Sequence, residues 1–97
     1  MLLNQSLKVM DRVRMSVGGL AETVVDVRLV LREALVRRAP AIALCHNHPS
    51  GNTHPSLDDN RLTDKLAKSA AIMNIRFIDH IVLADGAYYS YADEGML

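Results

Sequence analysis

Two histidines one residue apart, His46 and His48, stand where a short apolar run, Ala41-Ile42-Ala43-Leu44-Cys45, gives out. If the backbone stays extended past Cys45, side chains alternate with a period of two, so both imidazoles point the same way and can share one cation. A third ligand is expected from elsewhere, and Asp59, in the first turn of the segment that follows, can supply an oxygen. A His, His, Asp set leaves the fourth tetrahedral position to water, which separates a catalytic zinc site from a structural one. A plainer reading competes. Ser56 and Asp59 stand in the Ser-x-x-Asp relation of a capping box, which can exist only to start a helix. Taken separately, neither pair demands a metal; their combination points to one zinc ion held by His46, His48 and Asp59.

The elements that must position these groups are readable from periodicity. Residues 2 to about 17 alternate loosely between apolar and charged, as in a strand or hairpin exposed on one side, until Gly18-Gly19 ends it. Asp26 is a plausible N-cap for an amphipathic helix of about three turns, with Val27, Val30, Leu31, Ala34 and Leu35 on its apolar stripe. Pro40 stops that helix, and residues 41–45 follow as a strand of the type covered on both faces. After the loop His46 to Pro55, Ser56 opens a second helix in which Leu62, Leu66, Ala70 and Met73 recur, running to about Asn74. Residues 76–83 form another strand, and Asp85-Gly86 turns the chain into Tyr88-Tyr89-Ser90-Tyr91. The order strand, helix, strand, helix, strand, strand argues for one α/β domain over residues 1–97, a mixed sheet packed by helices. Ala92 to Leu97 is the expected loose end.

The full string His46-Asn47-His48-Pro49-Ser50-Gly51, with seven residues between His48 and Ser56 and then Ser56-Leu57-Asp58-Asp59, resembles the JAMM signature His-x-His-x7-Ser-x-x-Asp. The flanking residues, with Asp79-His80 and Gly86 beyond them, resemble the RadC-like branch of that family, formerly labelled a DNA-repair protein. The likeness runs from about Gly18 to Leu97. It implies a three-layer α/β/α fold with a mixed sheet similar to the cytidine deaminases, zinc on His46, His48 and Asp59, and Ser56 helping to stabilise the oxyanion of a tetrahedral intermediate. It implies zinc-dependent cleavage of a peptide or isopeptide bond. Such a metal lowers the pKa of its water from about 16 toward roughly 7, and one good oxyanion donor is worth about 3 kcal/mol.

Active members of that family also use a glutamate on an early strand as general base, a few residues before the glycine pair. The stretch Val9 to Gly18 contains none, and Val13 falls about where it belongs. Asp11, two residues earlier on the same strand face, and Glu22, beyond the glycines, are the candidate substitutes. Loss of the base would leave a metal-binding domain with weak or no peptidase activity. Among the other candidates, Cys45 reads as a buried, inert thiol, His54 as exposed, and His80 as a satisfied structural histidine rather than a partner of a ligand. Tyr88, Tyr89 and Tyr91 read as strand and core residues rather than a base-stacking platform.

Eleven basic groups balance eleven acidic ones, so the whole chain offers no excess positive charge to a phosphate backbone. Residues 1–48 carry seven basic and four acidic groups, the rest four and seven. Arg28, Arg32, Arg37 and Arg38 are nevertheless read as a solvated helix face. A metallohydrolase acting on a peptide-like substrate is therefore the first expectation, and a non-catalytic metal-binding module of DNA repair or processing the second. A deaminase is the third, weakened because the Pro-Cys-x-x-Cys half of that signature is missing. A lone cysteine, no signal-like start and no run approaching about 20 apolar residues lead to the expectation of a reducing, cytoplasmic setting without a membrane span.

Overall fold

The structure, a computed structural model, describes residues 1–12, 25–48 and 52–97. The elements are β1 (Leu2–Leu3), β2 (Val9–Asp11), α1 (Val27–Val36), β3 (Ala41–Asn47), α2 (Leu57–Ile72), β4 (Arg76–Ala84) and β5 (Ala87–Ser90). Among the described residues, five strands form one mixed sheet in the order β2-β1-β3-β4-β5. Among the described residues β3 and β4 form the only parallel pair, and α2 makes the crossover between them, as a parallel pair requires.

Both helices begin and end on local chemistry. The Asp26 side chain accepts from the Arg28 backbone N–H at the start of α1, and Ser56 accepts from the Asp59 N–H at the start of α2. Each helix ends in a Schellman arrangement, with a residue in the left-handed region just past the cap: Arg38 at φ 54° and Asn74 at φ 56°. The accompanying bonds run from the Ala39 N–H to the Ala34 carbonyl and from the Ile75 N–H to the Ala70 carbonyl, 2.8 Å each.

One face of the sheet and both helices share a core. Val27, Val30 and Ala34 of α1 and Leu66 and Ala70 of α2 pack with Leu2 and Ile42, and Leu44 and Phe77 close its edges. On the opposite face a smaller cluster, Leu3, Ala41 and Ala43, is backed by Met1 and Ile78. The α/β class with a mixed sheet is as expected. The third layer is not supplied by the described residues: Cys45, Leu83 and Tyr88 on that second face are exposed.

One open reading of local structure resolves to its hairpin alternative, and three readings are corrected. The alternation after Met1 hides a turn between β1 and β2, built on the Asn4 carboxamide, which accepts from the Ser6 and Lys8 N–H groups at 2.9 and 3.0 Å, with Leu7 at φ 61°. Leu35 and Met73 lie outside the buried stripes because the core takes Ala34 and Ala70 instead; both are exposed. Cys45 is exposed, since the cover on its face ends at Ala43 among the described residues. The tail is not loose throughout: Tyr91 is buried, and the Met96 N–H reaches the Tyr91 carbonyl at 2.8 Å. Gly18-Gly19, Val13 and Glu22 lie outside the described residues.

Candidate metal centre

β3 runs two residues past its apolar stretch, to Asn47, and so carries His46 onto the same face as Ile42 and Leu44. The His48 N–H follows, held by the Leu83 carbonyl of β4 at 2.8 Å. The two imidazole centroids are 4.9 Å apart. Asp59 arrives from the first turn of α2, and one ligand atom from each of the three residues lies within 4.8 Å of the others. His48 Nε2 stands 2.9 Å from Asp59 Oδ2 and His46 Nε2 stands 3.2 Å from Asp59 Oδ1. Ligand atoms of a tetrahedral zinc with bonds near 2.0 Å are about 3.3 Å apart, so both separations suit a shared cation.

The donor set supports that fit independently of distance. His48 Nδ1 lies 2.8 Å from the Asn52 backbone carbonyl. A carbonyl only accepts, so Nδ1 carries a proton, which leaves Nε2, 2.9 Å from Asp59 Oδ2, as the ring atom available to a metal. His46 Nε2 is buried without a hydrogen-bond partner, the carboxylate oxygen beside it notwithstanding. A buried acceptor facing another acceptor is costly unless a cation or a proton stands between them.

Capping the helix and facing both imidazoles turn out not to be alternatives for Asp59. Asp59 Oδ2 accepts from the Ser56 N–H at 2.7 Å, closing the capping box from the far side, while the same carboxylate faces both imidazoles. Burial works to raise the Asp59 carboxyl, but the Ser56 hydrogen bonds and the nearby His46 and His48 outweigh it and hold the group below the usual carboxylate range. Burial pushes the His46 imidazole down, and Asp59 offsets only part of that. The Ser56 hydroxyl accepts from the Asp59 N–H at 3.1 Å, which leaves its own proton free to donate.

Asp11 is elsewhere. Its register against Leu2, and through β1 against Ile42, puts it level with the start of β3, whereas His46 is near the other end. It accepts from Arg37 Nε at 2.6 Å, and that bond, with the Arg12 N–H, holds its carboxyl below the ordinary value. Among the described residues only His46, His48 and Asp59 form a potential metal cluster. His54 is exposed, and its N–H is bonded to the Asn52 side chain at 2.9 Å.

Two residues in contact with the site escape a reading by spacing. His80 on β4 is fully buried; its Nε2 is 2.8 Å from His46 Nδ1, its Nδ1 is 2.6 Å from Thr63 Oγ1, and Tyr91 stacks on its ring at 4.9 Å. Burial first, then the His46 charge, drives its pKa down to about 4. The available signal was indirect: Thr63 is a polar residue on the buried stripe of α2, four positions from Asp59. Asp79, by contrast, serves the C-terminal turn, accepting from the Ser90 hydroxyl and the Ala92 N–H.

The profile of the RadC-like JAB domain matches residues 1–96. The chain is 47% identical over 98 residues to a UPF0758 protein of Porphyromonas gingivalis, covering all of this chain and 43% of that protein. A UPF0758 protein of Flavobacterium johnsoniae is 42% identical, covering 99% of this chain and 42% of its own length. One from Clostridioides difficile is 40% identical, covering 95% and 39%. The chain thus spans about four-tenths of the length of the curated relatives it matches. On this match and on the arrangement of His46, His48 and Asp59, the chain belongs to the RadC-like JAB domain family.

Proposed function

We propose that this domain is a zinc-dependent hydrolase centre acting on a peptide or isopeptide bond, with His46, His48 and Asp59 as the protein ligands. The observation that carries the reading is the convergence of two imidazole Nε2 atoms on one carboxylate, one of them buried and unpartnered. Zinc bound there supplies an activated water and a Lewis acid for the scissile carbonyl. The chain's own groups do the rest. Burial works against the charge on Asp59, and the Ser56 hydrogen bonds favour its ionised form. Ser56 keeps a hydroxyl proton directed from the helix start, where backbone N–H groups also favour developing negative charge.

Turnover in this chain is expected to be slow. Asp11 is committed to Arg37, and a positioned general base is worth about 10² to 10⁴ in rate. Glu22 is the remaining candidate. The test is cleavage of a fluorogenic isopeptide by protein loaded with zinc, by protein stripped with chelator, and by Glu22→Gln and Ser56→Ala. Zinc-dependent turnover that falls in both variants supports the reading. Stoichiometric zinc with no turnover at any metal loading instead supports a non-catalytic metal-binding module, the reading favoured by the lack of a second described carboxylate at the cluster.

A further inference from the structure

A chain of three short contacts runs from the start of α2 to the buried side of His46. Thr63 Oγ1 is 2.8 Å from the Asp59 backbone carbonyl and 2.6 Å from His80 Nδ1, and His80 Nε2 is 2.8 Å from His46 Nδ1. Each contact needs one proton between its two atoms, and only some of those atoms can supply it. The Asp59 carbonyl has none to give, so the Thr63 hydroxyl donates to it. That hydroxyl proton being spent, His80 Nδ1 donates to Thr63. A neutral His80, the form favoured by full burial, then has a bare Nε2, and His46 Nδ1 must donate to it. His46 is left with a bare Nε2, the atom that faces Asp59.

We infer that His80 and Thr63 are positioning residues that fix His46 in the Nδ1–H tautomer, so that its Nε2 lone pair is presented to the metal site. The inference rests on the metal reading of His46, His48 and Asp59 for its purpose, but not for its geometry. Two different devices accomplish the same result on the two histidines. His48 is set by a loop carbonyl, Asn52, and His46 by a buried relay anchored in the same helix turn that carries Asp59. The two elements that supply the ligands are thereby tied together behind the site. The parallel pairing of β3 with β4, which sets Leu44 against His80, brings the relay within reach. Tyr91 holds the His80 ring plane from the other side: the two rings are within 6° of parallel, and its hydroxyl donates to Asn60 Oδ1 at 2.7 Å. A partner of this type on a ligating histidine is worth about 10- to 100-fold in metal affinity.

The experiment is a long-range proton–nitrogen spectrum of the histidine rings in metal-free protein at neutral pH, followed by zinc titration of the same samples. The expected result is a protonated, pyrrole-type Nδ1 and a pyridine-type Nε2 on His46. In Thr63→Val the relay loses its acceptor, so His80 moves its proton to Nε2, His46 shifts to the Nε2–H form, and zinc affinity falls about 10- to 100-fold. Thr63→Ser restores both the spectrum and the affinity. A parent spectrum showing His46 protonated at Nε2 overturns the inference, and it does so even if Thr63→Val fails to fold. Unchanged tautomer and affinity in folded Thr63→Val overturn it as well. A parent with the expected tautomer that binds no zinc upholds the relay and defeats the metal reading instead, so the two failures are separable.

Discussion

At the scale of single residues, the chemistry of Asp59 is the informative case, because one carboxylate does two jobs that spacing alone presented as rivals. It closes the capping box on the Ser56 N–H and faces both imidazoles. The variants separate the jobs. Ser56→Ala removes the oxygen that accepts from the Asp59 N–H, and should cost about 1 kcal/mol in a urea titration of the metal-free protein. Asp59→Asn keeps a polar side chain at the cap but withdraws the ionised ligand, so zinc affinity should fall far more than stability. A loss of stability in Asp59→Asn as large as the loss in affinity would contradict that division. The grouping of His46, His48 and Asp59 was legible because their spacing is local to one loop and one helix start. His80 was not, because its contact with His46 exists only through the pairing of β3 with β4, which no short-range pattern encodes.

At the scale of elements, the helices were readable, whereas the opening segment left strand and hairpin open, for a physical reason. Asp26, Pro40 and Ser56 act within a few residues of where they stand, so helix starts and stops follow from local chemistry. The β1–β2 hairpin depends on a turn at Asn4 to Leu7 that an alternating pattern conceals. Which hydrophobic residues a helix buries is also set by its partner: Leu35 and Met73 are exposed although their spacing placed them inward. The left-handed helix ends carry a prediction of their own. Arg38 at φ 54° pays the Cβ penalty that glycine avoids, so Arg38→Gly should raise stability by up to about 1 kcal/mol, read as an increased urea midpoint. A clear decrease would show that the Arg38 side chain contributes more than its backbone strain costs. Leu66→Ala, in the shared core of both helices, should cost about 2–5 kcal/mol.

At the scale of the whole molecule, the apolar run 41–45 predicted a strand covered on both faces, and among the described residues that holds from Ala41 to Ala43 but not at Cys45, which is exposed. Coverage depends on what packs from a distance, which a five-residue run cannot report. The buried histidines give the molecule a definite pH response. His80 is depressed to about 4 and His46 is also lowered, both chiefly by burial, whereas the unfolded chain protonates both near 6.5. Their contribution is therefore fully present above about pH 6.5 and is lost as pH falls from there toward about 4, by at most about 1.4 kcal/mol per pH unit for each group. Urea midpoints of metal-free protein at about pH 7.5, 6 and 4.5 should fall in that order; a flat profile would contradict the burial of His80.

The central claim is that His46, His48 and Asp59 hold one metal ion. It is tested most directly by elemental analysis of protein purified without added metal, alongside His46→Ala and Asp59→Ala variants shown to be folded. About one zinc per parent chain is expected, and none in either variant. A metal-free parent that also fails to take up zinc on titration, or variants that retain it in full, would contradict the account.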